Sequence, residues 1–209
     1  MILTNLHGTQ MSAERNAKVL NVLHKRQNDI TVVLDNVDDP HNIAAVLRTC
    51  DAIGIMEIFV LNTNQKTHRK FDPKTSSSAN KWMMVHQYTE AKSCFEHVRK
   101  QYPKIYSTHL SESAKDLYEL NLTEPCALVF GNESSGISDE VLSYCDANFI
   151  IPQVGMIQSL NISVACAICL YEAFRQKNLA HHYDKPKLDA SQNQQLLDFW
   201  QIQQQASTV

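Results

Sequence analysis

"CALVFGNESSGIS", residues 126–138, begins as an apolar run and changes character at a single residue. Cys126 to Phe130 read as a buried strand. Gly131 ends it, and Asn, Glu, two serines and Gly136 follow. Glycine permits positive φ and lets main chain come close to a ligand. A strand that stops in small polar residues between two glycines therefore reads as a wall of a binding site.

Similar strands lie on both sides of it. "ITVVLDNV" (30–37) is rich in β-branched residues, and Asp39-Pro40 then opens a helix with the acid as cap and proline at its first position. Ile43, Val46, Leu47 and Cys50 keep the helical period until Gly54. "MEIFVL" (56–61), "WMMVHQY" (82–88), "KIYSTHL" (104–110) and "NFIIP" (148–152) read as further strands. Between them, Ala91, Cys94, Phe95 and Val98 mark an amphipathic helix, a short helix is expected around 113–119, and "SDEVLSYC" is helical. "ISVACAICLYEAF" (162–174) is a helix apolar on almost every side. Upstream, Ser12 caps a helix running to about Gln27 on an apolar stripe of Val19, Leu20 and Leu23. Such alternation predicts an α/β fold, a mainly parallel sheet flanked by helices.

The chain divides into an N-terminal extension with a basic helix (1–29), a main domain (30–177) and a polar, Gln-rich tail (178–209). In the tail, Leu196, Leu197 and Trp200 suit a short helix, with disorder as the alternative. The stretch 62–81 reads as a long polar loop.

With 44% hydrophobic and 20% charged residues, the 209-residue chain has the material for a real core. No apolar run approaches the ~18 residues of a membrane span, and the start lacks a signal-peptide pattern, so a cytoplasmic protein is expected. The six cysteines fit reduced core thiols, and no Cys or His pairs have the spacing of a metal site. A net charge of −3 argues against a strong nonspecific nucleic-acid binder. Positive charge is nonetheless concentrated in "RNAKVLNVLHKR" (15–26) and "KTHRKFDPK" (66–74). Each segment suits either a solvated face or an RNA-facing surface carrying Arg15, Lys25, Arg26 and Arg69.

In open α/β sheets, ligands bind beyond the carboxyl ends of the strands. "STH" after the strand at 104, "GNESSG" after that at 126 and "PQVGMIQSLN" after that at 148 fall there. "GNESSG" lacks the Gly-Lys-Ser/Thr ending of a P-loop and contains an acid but no cation, which disfavours phosphate. An adenosine carrying a cationic sulfonium suits it better. On the helix from Pro40, Asn42 sits in the first turn and Arg48 points away from the apolar stripe, as an ordinary surface arginine also would.

Three segments together, "NVDDPHNIAAVLRTCDAIGI", "LVFGNESSGIS" and "IIPQVGMIQSLNISVACAICLYEA", resemble motifs 1, 2 and 3 of the SpoU, or TrmH, RNA ribose 2′-O-methyltransferases of the SPOUT superfamily. Residues 11–31 resemble the N-terminal helix of the branch that methylates guanosine 18 in the tRNA D loop. The resemblance implies a C-terminal deep trefoil knot, S-adenosylmethionine as methyl donor, tRNA as substrate and a homodimer with its active site at the interface. By the same resemblance, Asn42, Arg48, Glu133, Ser159 and Asn161 fall on catalytic positions. Thr108, Gly131, Ile151, Gly155 and Leu160 fall on cofactor positions, and Arg175 and Lys177 on RNA-contacting ones. Family proposals make Arg48 the general base. A neutral guanidine near pH 7 costs on the order of 7 kcal/mol, so the alternative is that Arg48 holds the substrate phosphate while the hydroxyl loses its proton late. A ribosomal-RNA ribose and a noncatalytic RNA-binding role are the rival readings.

Overall fold

The computed structural model describes residues 2–5, 9–64, 79–157 and 159–205. In chain order the elements are β1 (Ile2–Asn5), α1 (Ala13–Lys25), β2 (Ile30–Asp35), α2 (Pro40–Ala52), β3 (Glu57–Leu61), β4 (Met84–Tyr88) and α3 (Ala91–Gln101). There follow β5 (Lys104–Thr108), β6 (Lys115–Asp116), β7 (Cys126–Phe130), α4 (Asp139–Leu142), β8 (Ala147–Ile150), α5 (Ile162–Leu179), α6 (Ala190–Phe199) and β9 (Ile202–Gln205).

Seven strands form one sheet in the order β4-β3-β2-β7-β5-β8-β6, and every pairing in it is parallel. β7, late in the chain, enters between β2 and β5: Ile30 lies opposite Cys126 on one side and Lys104 opposite Cys126 on the other. β2, β3 and β7 are buried along their whole length, as strands covered on both faces must be. Alternate residues feed two cores. Val32, Leu34, Leu128 and Phe130 pack under α2 and α5, with Val46, Leu47 and Cys166. Val33, Ala127 and Val129 pack on the other face with Phe95, Val98 and Val141 of α3 and α4. The α/β architecture with its parallel sheet is thus as the sequence predicts.

Two segments differ from expectation. Residues 115–116 form a short edge strand and 117–119 a 3₁₀ turn, where a helix was expected. Lys115 and Asp116 pair with Phe149 and Ile150, so the backbone finds its partners in the sheet rather than within a helix. The tail is ordered. An Asp189–Gln192 capping box starts α6, and β9 pairs antiparallel with β1 in a separate two-stranded ribbon. Leu196, Leu197 and Trp200 bury themselves against Leu3, Val19 and Leu23 in a third core, which gives the Gln-rich segment the apolar anchor that its composition obscures.

Candidate cofactor cleft and active site

The carboxyl ends of β5, β7 and β8 surround a cleft of about 550 Å³. All five residues assigned to the cofactor by resemblance line it: Thr108, Gly131, Ile151, Gly155 and Leu160. Glu133 and Ser159 line it too. Phe130, Phe149, Ile162 and Ala165 give it an apolar floor, and no Lys or Arg is found among the described lining residues.

The 131–136 loop is held by its own backbone. Asn132 and Gly136 exchange two N–H···O bonds, each 2.9 Å, with Gly136 at φ +69°. A Cβ on Gly131 would lie 2.3 Å from the carbonyl carbon and oxygen of Gly136, so only glycine fits. The Asn132 side chain accepts from the Ser134 N–H at 2.8 Å and donates to the Asn36 carbonyl at 2.8 Å, fixing the loop to the end of β2. Asp35, fully buried, accepts from the Ser138 N–H at 2.9 Å and its hydroxyl at 3.0 Å. Burial pushes the Asp35 carboxyl above its ordinary value, and the Ser138 hydrogen bonds oppose that. Sequence reading missed Asn132, Asp35 and Ser138 as supports of the loop. An acid ending the apolar strand "ITVVLD" is the signal that marks Asp35.

Behind the cleft, three candidate catalytic residues meet. Glu133 Oε1 accepts from Asn161 Nδ2 at 2.7 Å, Asn42 Nδ2 at 3.2 Å and the Ile162 N–H at 3.3 Å. Asn161 Nδ2 also donates to Asn42 Oδ1 at 3.1 Å. Asn161 is the N-cap of α5, its Oδ1 accepting from the Ser163 N–H at 3.0 Å. The carboxylate thus sits at a helix N-terminus, where the exposed N–H groups favour negative charge. Arg48 is exposed on α2 and does not line the cleft of its own protomer. Thr108, beside the cleft, spends its hydroxyl on the Val129 carbonyl at 3.1 Å, leaving backbone to face a ligand.

The expected RNA contacts divide. Arg15 and Lys25 are exposed on α1, and Lys25 donates to the Tyr183 carbonyl at 2.6 Å. Arg175 is exposed and forked onto Glu172 by two 2.8 Å bonds. Lys177 and Arg26 are corrected: both are fully buried. Lys177 pairs with Asp29 at 3.0 Å and donates to the Thr123 carbonyl at 3.2 Å, joining α5 to the core. Arg26 pairs with Asp51 at 2.6 Å. Their aliphatic stems pack inside the fold, so neither charge reaches an RNA backbone at the surface. Arg69 lies outside the described residues. All six cysteines are free thiols, and no group of three or more potential metal ligands is present among the described residues. Among the same residues no helix is long and apolar enough to cross a membrane.

The model of the SpoU rRNA Methylase family matches residues 29–171. A Thermus thermophilus tRNA (guanosine(18)-2′-O)-methyltransferase is 40% identical over 89% of this chain and 95% of its own length. The Escherichia coli protein of the same name is 35% identical over 90% and 82%. Among solved structures, the A. aeolicus TrmH/SpoU tRNA modifying enzyme superposes with a TM-score of 0.81 at 34% identity, covering 90% of this chain and 95% of that one. The Streptomyces viridochromogenes SpoU methyltransferase AviRb, solved in complex with AdoMet, superposes with a TM-score of 0.65 at 25% identity, covering 76% and 62%.

Proposed function

The chain belongs to the SpoU methylase family, and on that premise we propose that it methylates the ribose 2′-hydroxyl of guanosine 18 in the D loop of tRNA, with S-adenosylmethionine as donor. One observation carries the reading: residues from three separated segments, Thr108, Gly131 and the Ile151–Leu160 loop, converge on one cleft. Its walls suit that donor. They combine close backbone, an apolar floor and a carboxylate, with no cation among the described lining residues to repel a sulfonium.

Bound donor supplies an electrophilic methyl, and the chain's residues position the nucleophile. Glu133, Asn42 and Asn161 fix the mouth of the cleft as one hydrogen-bonded unit. Ser159 lies on its rim. Arg48 acts on the RNA side, either taking the 2′-hydroxyl proton or holding the neighbouring phosphate. Since Arg48 is outside the cleft of its own protomer, it serves the cleft of a second copy, and the active unit is a homodimer. Val154, Met156 and Ile157 beside the cleft and Val164 and Tyr171 on α5 are exposed apolar side chains that a partner would cover. The entry of β7 between β2 and β5 supports the threading of a deep C-terminal trefoil knot. The compartment is the cytoplasm, where tRNA is modified.

Incubating the protein with labelled donor and separate pools of unmodified tRNA and rRNA tests this. Label at a single tRNA guanosine 2′-oxygen is expected, and Arg48→Ala should abolish it at saturating tRNA. Label in rRNA alone would give the substrate to the ribosomal reading. Label in neither would leave a noncatalytic RNA-binding protein.

A further inference from the structure

The two tryptophans of the chain meet away from the cofactor cleft. Trp82, just before β4, and Trp200, at the end of α6, pack edge to face with ring centroids 5.6 Å apart. Together with α1 they line a second cavity of about 300 Å³, at the small end of ligand-sized pockets. Arg15, Lys18, Val19 and Val22 project into it from one helical face, at i, i+3, i+4 and i+7. Arg15 and Lys18 are exposed at its mouth, and Trp82 is half-buried. The one acid among the described lining residues is Asp51, already paired with Arg26. A positive, aromatic cleft has thus formed on a chain of net charge −3.

Arg26 forms part of the wall. Its guanidinium donates to the Ile55 carbonyl at 2.7 Å, to Asp51 at 2.6 Å and to the Trp82 carbonyl at 2.9 Å, and stands 5.6 Å over the Trp200 ring. Its Nε is buried without a hydrogen-bond partner among the described residues, a state that costs about 1–3 kcal/mol for a buried donor and more for a charged one. Structural duty accounts for the terminal nitrogens and for Trp200, whose indole N–H reaches the Trp82 carbonyl at 3.0 Å. It does not account for an open cleft with a half-buried indole, two exposed cations and an unmatched buried N–H.

We propose that this cleft takes one unpaired nucleotide of the RNA substrate, its base against the Trp82 indole and its phosphate between Arg15 and Lys18. The inference rests on the RNA-methyltransferase reading. Unstacked bases are held on aromatic faces at about 1–3 kcal/mol each, and paired cations at the rim fit the phosphate that accompanies the base. Asp51 ends α2 and Trp82 precedes β4, so the cleft lies at the amino edge of the sheet, whereas the cofactor cleft lies at its carboxyl edge. Strands of five or six residues separate the two edges by about 17–20 Å. A folded RNA spans that distance and a dinucleotide does not. The second contact grips the substrate without touching the reacting atoms.

Both tryptophans of the chain line this cleft, so intrinsic emission reports on it directly. An unmodified tRNA transcript is expected to quench the emission, and Trp82→Phe to remove most of that quenching. Arg15→Ala with Lys18→Ala, both at exposed positions, is expected to weaken tRNA binding about tenfold and to lower its log–log salt slope by about 2. Donor binding at the other cleft should not change. Emission unmoved by bound tRNA, quenching retained in Trp82→Phe, or equal quenching by heparin, a polyanion without bases, would overturn the proposal. Quenching by tRNA without methyl transfer to any RNA would sink the catalytic reading and leave this cleft standing. Methyl transfer to tRNA with unmoved emission would sink the cleft alone.

Discussion

Gly131→Ala is the sharpest test of how the cofactor cleft is shaped. The added methyl would lie 2.3 Å from the carbonyl carbon and oxygen of Gly136 and 2.5 Å from the Ile137 nitrogen. Ordinary contact begins at 3.4 Å, so the 136–137 backbone must retreat by about 1 Å. The obstacle is main chain, with no flexible side chain to swing aside. Retreat strains the reciprocal Asn132–Gly136 pair and pulls Ser138 from Asp35. Overpacking costs about 1–3 kcal/mol, and a lost hydrogen bond adds about 1 kcal/mol. Roughly 3 kcal/mol at this chain length lowers the melting temperature by about 6–12 °C. A displacement of ~1 Å in a positioning loop costs about 10²-fold in rate. Thermal melts and single-turnover methyl transfer to tRNA check both numbers. Gly155→Ala, where an added Cβ has no neighbour within 4 Å, supplies the melting control. Should Gly131→Ala melt with the wild type and transfer methyl within about threefold of it, the Gly131–Gly136 contact does not shape the loop.

Two further outcomes follow from the charge network. Glu133→Ala leaves Asn42, Asn161 and the first N–H of α5 without their shared acceptor, and should cost about 1–3 kcal/mol. Glu133→Gln keeps one acceptor oxygen and should recover more than half of that, so equal melts for the two variants would refute the acceptor role. At the tail, burial pushes the Asp29 carboxyl up, but Lys177 and Lys187 outweigh it and hold it below its ordinary value. His182 is held below its ordinary value by burial and then by Lys187. In both cases the unfolded chain binds protons first on acidification. Stability should therefore fall from about pH 6.5 downward as His182 responds, and again below about pH 4 as Asp29 is protonated. A melting temperature flat between about pH 7 and 5 would contradict the assignment to His182.

Strand and helix periods were legible because each buried strand carries its own apolar run, as "ITVVL" and "CALVF" do, and because Asp39-Pro40 and Asn161 announce helix starts. The cofactor cleft was legible through the three quoted motifs. Lys177 and Arg26 misled for one reason: local sequence gives a cation's identity, whereas its burial depends on partners far along the chain, Asp29 and Asp51. Residues 115–116 misled likewise, since an edge pairing with β8 is set by residues more than thirty positions away. The second cleft was invisible for the same cause. Trp82 and Trp200 stand 118 positions apart and meet only through the fold.

The β1–β9 ribbon fixes an order of events during synthesis. Residues 2–5 leave the ribosome first, yet their partners at 202–205 are made last. At ~5–20 residues per second, Leu3 waits on the order of 10–40 s for the strand that covers it. Through that interval the parallel sheet can assemble while the earliest-made segment stays unpaired, and a nascent chain stalled in the tail would present that segment to chaperones or to other chains.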